Sequence, residues 1–139
     1  MLLSSPFEAL RDLQETLESL YGSDWLSSTP SASGPFPPLN VFRKGDEFVV
    51  IAELPGVKKS DIQIQIKDGA IRISGTKSVE YPEKASLHRA ERLAGAFDRI
   101  VTIPVAVDAD KVKAEYRDGI LALLVPRAEQ DKPKTIQVA

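Results

Sequence analysis

Cysteine and histidine, the side chains most often used in nucleophilic catalysis and metal binding, are scarce in this chain. It contains no cysteine and a single histidine, His88. The lack of cysteine excludes disulfides, thiolate zinc sites and thiol catalysis, and one histidine leaves almost no scope for an imidazole metal site or a His-dependent triad. The neighbouring carboxylates Asp46/Glu47 and Asp108/Asp110 lie in turn-like sequence, where Asp is expected for turn geometry. Nothing therefore selects a catalytic pair.

Nucleotide-binding motifs are also missing from the sequence. A P-loop needs Gly-Lys followed by Ser or Thr, and the chain contains no Gly-Lys pair. No Gly-x-Gly fingerprint precedes a predicted helix. We therefore expect no catalytic residue, no bound metal and no cofactor, and we expect that the protein is not an enzyme.

Composition and charge narrow the class of protein further. The 139 residues are 42% hydrophobic and 27% charged, which is typical of one globular domain with short extensions. Eighteen basic against twenty acidic residues give a net charge of −2, so we expect no nucleic-acid partner. No apolar run approaches the roughly 20 residues that span a bilayer, and the N-terminus does not resemble a secretory signal. The composition thus favours a soluble, cytoplasmic protein without a membrane span.

Residues 1–36 are predicted to form an N-terminal arm, with an amphipathic helix over about residues 5–21 and a Ser/Pro-rich linker after it. Ser5, Pro6 and Glu8 form a helix-start signal, in which a capping residue precedes proline and Glu follows three positions later. The large apolar residues of the arm are Phe7, Leu10, Leu13, Leu17, Leu20, Trp25 and Phe36. The helical stripe could pack on its own domain or bind another molecule. A membrane surface is disfavoured because the polar face is mainly acidic.

After residue 36 the apolar periodicity changes from helical to alternating. Residues 62–67 alternate almost perfectly, Asp68-Gly69 supplies a turn, and residues 70–75 return, which predicts a hairpin. Further strand candidates are residues 40–43, 47–53, 97–103, 112–116 and 120–125. Short strands with Gly and Pro between them, and no helices, predict an all-β, immunoglobulin-like antiparallel β-sandwich over residues 37–126.

A long charged insertion separates Gly75 from Gly95. Loops of this length in compact domains are usually functional or disordered. Residues 86–92 could form a strand that reaches another molecule and pairs at an exposed sheet edge. A mobile charged loop is the alternative.

Residues 127–139 are predicted to form an extended C-terminal tail. Ile136 and Val138 are two residues apart, so they point to the same side of an extended segment. Burying both side chains would contribute roughly 3–6 kcal/mol, part of which is offset by ordering the tail. A contact of this size would be weak and reversible. A frayed terminus is the alternative.

Four motifs in this sequence coincide with those of one family. Residues 114–121, Ala-Glu-Tyr-Arg-Asp-Gly-Ile-Leu, resemble the A-x-x-x-n-G-v-L signature of the small heat-shock proteins, whose folded part is the α-crystallin domain. Residues 52–57 resemble the family's l-P-G-v/f turn, and residues 95–104 its G-x-F-x-R…L-P strand. Ile136-x-Val138 resembles its terminal I-x-I/V anchor. Because order and spacing also agree over about residues 38–138, the chain resembles a small heat-shock protein of the non-animal type.

This resemblance implies an ATP-independent holdase chaperone, which agrees with the missing nucleotide motif. Such a protein binds unfolding polypeptides and prevents their aggregation, and it leaves refolding to ATP-driven chaperones. The resemblance also implies a dimer formed by strand exchange, which assembles reversibly into larger oligomers.

The resemblance further implies three groups of interacting residues. The dimer interface would contain Leu87, His88, Arg89, Ala90, Glu91 and Arg99. Glu91 is a plausible acidic partner for Arg99 in a charge-assisted pair. The tail anchor, Ile136 and Val138, would dock into a groove of another dimer that contains Ile62, Ile64, Ile66, Val112 and Ala114. The arm residues named above would bind clients.

Two other interpretations remain open from the sequence. One is a co-chaperone or scaffold module of the p23 type, which uses the same sandwich without holdase activity; such modules typically lack the terminal anchor and the exchanged strand. The other is an unrecognised hydrolase, which is disfavoured because no catalytic constellation is evident.

Overall fold

The computed structural model describes residues 5–21, 36–92, 94–131 and 133–139. In these segments one helix, α1 (Pro6–Tyr21), precedes seven strands. The strands are β1 (Leu39–Lys44), β2 (Glu47–Glu53), β3 (Ile62–Lys67), β4 (Ala70–Lys77), β5 (Gly95–Thr102), β6 (Lys113–Arg117) and β7 (Ile120–Pro126). Three short 3₁₀ turns, at Lys59–Asp61, Ala109–Lys111 and Glu129–Asp131, complete the described elements.

The strands form two antiparallel sheets. One has four strands in the order β1-β2-β7-β6, and the other has three in the order β3-β4-β5. The predicted hairpin between residues 62 and 75 is present as β3 and β4, with Ile64 opposite Ile73. The prediction of an all-β antiparallel sandwich is therefore confirmed.

Two Asp-Gly turns set the register of the hairpins. Asp68 and Gly69 join β3 to β4, and Asp118 and Gly119 join β6 to β7; all four residues have positive φ angles between 50° and 78°. Positive φ at both central residues is the geometry of the type I′ turn, which Asp-Gly favours because glycine has no Cβ to clash. The Asp-Gly pairs thus fix which residues of these strands face the core.

The main core lies between the two sheets. Its fully buried members include Val50, Leu54, Ile71, Ile73 and Leu123. Those within strands come from alternate positions, as period-two side-chain alternation requires, and Leu54 follows directly after β2. This core holds the sandwich together.

Helix α1 packs against the outer face of the four-stranded sheet. Its start is a capping box: the Glu8 backbone N–H donates to Ser5 Oγ at 3.2 Å, and the Ser5 N–H donates to Glu8 Oε2 at 2.9 Å. Ala9 is fully buried against Val49 and Leu124. Of the two possibilities for the helical stripe, the structure shows packing on its own domain.

Candidate interaction surfaces

The described residues hold no cluster suited to metal binding. No group of three or more His, Cys, Asp or Glu side chains among them is placed to hold a metal ion. His88 is exposed in the long loop. No helix in the described segments is long and apolar enough to cross a membrane.

An apolar groove opens between the edge strands of the two sheets. Ile62 and Ile64 of β3 form one wall, and Ala114 and Tyr116 of β6 form the other, with Leu121 at the base. The cavity has a volume of about 140 Å³. The charged residues Lys59 and Glu115 also line it, so the groove offers apolar walls with charged residues beside them.

The predicted groove residues divide between this groove and its surroundings. Ile62, Ile64 and Ala114 line it, and their role in docking the tail anchor stays a prediction. Ile66 instead lines a second cavity of about 570 Å³ at the end of the sandwich, beside the β3–β4 turn. Val112 lies immediately before β6 and packs against the main core. The sequence reasoning did not include Tyr116 or Leu121, although both lie within the signature at residues 114–121.

Tyr116 connects the groove to a neighbouring turn. Its hydroxyl lies 2.8 Å from the Leu54 carbonyl oxygen and 2.7 Å from that of Val57, and its single proton can be donated to either. Burial raises the pKa of Tyr116 above its ordinary value of 10.0. The wall of the groove is therefore held by the turn at residues 54–57.

The same turn packs against Gly119. The Leu54 backbone N–H donates to the Gly119 carbonyl oxygen at 2.7 Å. Gly119 has a φ of +78°, and a Cβ there would lie 3.1 Å from the Cα of Pro55. A side chain at this position would strain the backbone and crowd the turn. Two of the sequence motifs, residues 52–57 and 114–121, thus form one packed unit beside the groove.

The predicted tail anchor lies outside the groove of its own chain. Ile136 is 85% exposed and Val138 is 97% exposed. Residues 133–139 contain no strand or helix. Both apolar side chains are thus available to a second molecule.

The predicted exchange segment also lies on the surface. Residues 86–92 form no strand in this single chain, and every residue from Tyr81 to Arg92 is exposed. Leu87 is 63% exposed, and Arg89 Nε lies 2.9 Å from Glu91 Oε1. Strand exchange requires a second chain, so the roles of Leu87, His88, Arg89, Ala90 and Glu91 stay predictions.

Arg99 links β5 to the chain segment that leads into β1. Its side chain is half-buried, and Nη1 donates to the Pro37 carbonyl oxygen at 2.8 Å. Strand β1 is an edge of the four-stranded sheet. Arg99 is therefore placed close to an edge that could accept a further strand, and its pairing with Glu91 of a second copy stays a prediction.

The outer face of the four-stranded sheet forms a second apolar cluster. Ala9, Val49 and Leu124 are buried in it, with Phe42 and Ile51 packed around them. We call the sheet side of this cluster, Phe42, Val49, Ile51 and Leu124, the covered face. Sequence reasoning missed it, although residues 48–52 and 120–125 are apolar at every position. Continuous apolar runs are typical of strands buried on both faces.

Two polar contacts flank the covered face. Lys44 Nζ lies 3.0 Å from Asp12 Oδ2, and the Arg117 guanidinium lies over the Phe7 ring, 4.5 Å from its centroid. Partly exposed ion pairs contribute about 0.2–1 kcal/mol, and exposed cation–π contacts about 0.5–1 kcal/mol. These contacts orient α1, but they hold it only weakly.

The predicted client-binding residues lie in different environments. Phe7, Leu10 and Leu13 are half-buried on α1. Leu17 and Leu20 belong to the helix, but their side chains, like Trp25 and most of the linker, lie outside the described residues. Phe36 differs from the expectation of an arm residue because it packs against the main core, edge-to-face with the ring of Phe97 at 5.6 Å.

Comparison with known proteins agrees with this geometry. The sequence profile of the Hsp20/alpha crystallin family matches residues 40–139. Spore protein SP21 of Stigmatella aurantiaca is 31% identical over 137 residues, which cover 96% of this chain and 80% of that protein. A longer relative, a heat shock protein of Dictyostelium discoideum, is 30% identical, and the chain spans 31% of its length.

Solved structures show the same similarity. Heat shock protein 16.0 from Schizosaccharomyces pombe superposes with a TM-score of 0.64 and 35% identity, over 74% of this chain and 96% of that one. A small heat-shock protein from Xylella fastidiosa superposes with a TM-score of 0.61 and 31% identity. Its crystal structure reveals a distinct high order structure. That match covers 74% of this chain and 95% of the other.

Proposed function

Because the chain belongs to the Hsp20/alpha crystallin family of heat-shock chaperones, we propose that it is a cytoplasmic, ATP-independent holdase without enzymatic activity. It binds unfolding polypeptides, prevents their aggregation and leaves refolding to ATP-driven chaperones. The observation that carries the proposal is the family match over residues 40–139. The apolar groove, the tail anchor and the arm provide the surfaces for assembly and for client binding.

Oligomer assembly through the tail is supported by the groove and by the exposure of the anchor. Ile136 and Val138 dock into the groove of another copy, against Ile62, Ile64 and Ala114. Each docking is worth at most the roughly 3–6 kcal/mol of two buried aliphatic side chains, less the ordering cost. Single contacts are therefore reversible, while several in one closed assembly reinforce each other through effective concentration.

Dimer formation by exchange of residues 86–92 is supported by the exposed loop and the edge strand β1. An extended segment pairs most readily with an unpaired sheet edge. Since Arg99 bonds to Pro37, two residues before β1, a segment added to β1 brings Glu91 of a second copy near Arg99. An Arg–carboxylate pair in this place would be charge-assisted.

Client binding by the arm is supported by its apolar residues. Phe7, Leu10 and Leu13 of α1 offer apolar side chains complementary to exposed apolar segments of unfolding proteins, and Leu17, Leu20 and Trp25 are proposed to join them on the sequence pattern alone. These residues bind clients when the helix is not engaged elsewhere.

The holdase proposal is tested by heating a thermolabile enzyme with the pure full-length chain in the absence of ATP. We expect light scattering to fall steeply as the chaperone approaches a stoichiometric ratio, and adding ATP should change nothing. An unrelated globular protein at equal mass concentration is the control. Scattering that matches this control would reject holdase activity.

The tail proposal is tested by the double substitution Ile136→Ala with Val138→Ala. We expect the assemblies to shift toward dimers in size-exclusion chromatography with light scattering, because the groove loses its ligand. The matched control is Thr135→Ala with Gln137→Ala, which alters the same tail but leaves the anchor intact. An unchanged size for the anchor variant would contradict docking.

A further inference from the structure

We infer that the covered face of the four-stranded sheet is a second binding surface for apolar segments of unfolding proteins, and that α1 is its removable lid. This inference rests on the proposed holdase function, to which it adds a second client-binding surface and a helix that regulates access to it. The occupant we assign is an amphipathic segment with one apolar stripe, which is the chemistry that α1 itself brings to the sheet.

The character of the surface follows from its residues. Val49 and Leu124 are almost completely buried beneath α1, with 0% and 1% of their surface exposed. Phe42 and Ile51 pack around them. Without the helix, these neighbouring side chains would form an apolar patch across strands β1, β2 and β7, and such patches bind apolar partners. The outer face of the sheet therefore binds apolar partners unless it is covered.

The fit of α1 shows which segments the surface accepts. The small side chain of Ala9 is fully buried in this cluster, and the larger Phe7, Leu10 and Leu13 of the same helix are half-buried. Lys44 and Arg117 stand beside the apolar patch and contact Asp12 and the Phe7 ring. A competing segment needs an apolar stripe, and acidic or aromatic flanking residues improve its fit.

The lid is separable from the sandwich. The cluster under α1 and the main core have no buried residue in common. The backbone hydrogen bonds of β2 and β7 run to their neighbouring strands, so they do not depend on the helix. Residues 22–35 join α1 to the sandwich, and 14 residues span up to about 46 Å. The helix can therefore leave while both sheets remain paired.

Lid opening frees two apolar surfaces together, the stripe of α1 and the covered face. A client competes with α1 for the sheet. Its apparent affinity is therefore its intrinsic affinity multiplied by the fraction of chains whose lid is open. Warming raises the open fraction when the weak contacts of α1 fail before the core does. The helix thus inhibits client binding until the lid opens.

The test is a reversible lock between helix and sheet in the full-length chain. The chain has no cysteine, so a disulfide between Ala9→Cys and Val49→Cys, or between Ala9→Cys and Leu124→Cys, would form without competing thiols. We expect the oxidised form to suppress aggregation on the order of tenfold less well than the reduced form, because the lock removes the binding-competent state. The reduced form of the same variant is the matched control, and sizing confirms equal assembly.

A second measurement locates the client on the sheet. A thiol-linked photocrosslinker is placed at Ile51→Cys, beside the lid, and at Ile100→Cys on the outer face of the other sheet, where Ile100 is already 62% exposed. We expect heat-dependent cross-links to the client from position 51 and several-fold fewer from position 100.

Two outcomes would overturn the inference. Equal aggregation suppression by the locked and reduced forms would show that the lid controls nothing. Cross-links from position 51 only to other copies of the chain would make this face an assembly surface. If neither the reduced variant nor the unmodified chain suppressed aggregation, the proposed holdase function itself would be rejected.

Discussion

The outer faces of the two sheets are built in opposite ways. On the three-stranded sheet, the exposed Gln63 and Gln65 alternate with half-buried isoleucines, and Arg72 and Asp98 form a surface ion pair. On the four-stranded sheet, Val49 and Leu124 are fully apolar and lie beneath α1. The first face carries polar side chains beside the exposed Ile100, whereas the apolar side chains of the second are buried under α1. The comparison teaches that an outer face rich in apolar residues is covered by a helix, while a largely polar one stays exposed to water.

The largest expected difference between the two faces comes from truncating one aliphatic residue on each. Leu124→Ala should lower the free energy of unfolding by about 2–5 kcal/mol, because it removes a buried side chain and leaves a cavity. Ile100→Ala should change it by no more than about 0.5 kcal/mol, because that side chain is mostly solvated. Urea denaturation measures both. Equal costs would mean that α1 does not bury the four-stranded face.

Tyr116 extends the comparison to the inner side of the four-stranded sheet. Tyr116→Phe should cost about 0.5–1.5 kcal/mol, because the hydrogen bond to the carbonyl oxygens of Leu54 and Val57 is lost. Denaturant unfolding at neutral pH measures this difference. The matched comparison is Tyr81→Phe in the exposed loop, which we expect to be neutral.

The pH dependence of the Tyr116→Phe effect has a defined sign. Burial raises the pKa of Tyr116 in the folded state above 10.0. The stability that its neutral hydroxyl contributes is therefore fully present below pH 10.0 and is lost as the pH rises through the folded-state pKa. We expect the difference between wild type and Tyr116→Phe to shrink in that range. A difference that grows above pH 10 would contradict a buried, donating hydroxyl.

The smallest effect is expected on the open face of the three-stranded sheet. Arg72 Nε and Nη2 donate to Asp98 at 2.9 and 2.5 Å, and this hydrogen bonding lowers the pKa of Asp98 below 3.8. Since the folded-state pKa is depressed, the pair stabilises the fold above pH 3.8 and loses that contribution as the pH falls through the folded-state value. Asp98→Asn should therefore destabilise slightly at neutral pH and not at all in strong acid, as followed by thermal unfolding. A cost that persists in strong acid would exclude the ion pair as its source.

The sequence predicted the strands well wherever polar and apolar residues alternate. The β3–β4 hairpin is an example, because alternation and the Asp-Gly turn specify the same register. The helix was also predictable, since Ser5 and Glu8 form a local signal that does not depend on tertiary contacts. The family resemblance implied a groove beside the motif at residues 114–121, and a cavity lies there, but its role as the anchor site stays a prediction.

The docking of α1 was not predictable from the helix alone. An apolar stripe on a helix indicates that the stripe is buried, but it does not identify the surface against which it packs. The additional signal lies in β2 and β7, whose continuous apolar runs indicate burial on both faces. Tyr116 was missed for a similar reason, because its hydrogen bonds reach carbonyls about 60 residues away in the sequence. Contacts of this range follow only from the assembled fold.

The central claim is that a separable helix covers the four-stranded sheet. It is tested most directly by hydrogen–deuterium exchange of the full-length chain, followed peptide by peptide as the temperature rises. We predict that residues 5–21 lose protection at a lower temperature than residues 47–53 and 120–126, whose amides are paired within the sheet. Loss of protection by all three segments in one transition would contradict the account, because the helix would then be an inseparable part of the sandwich.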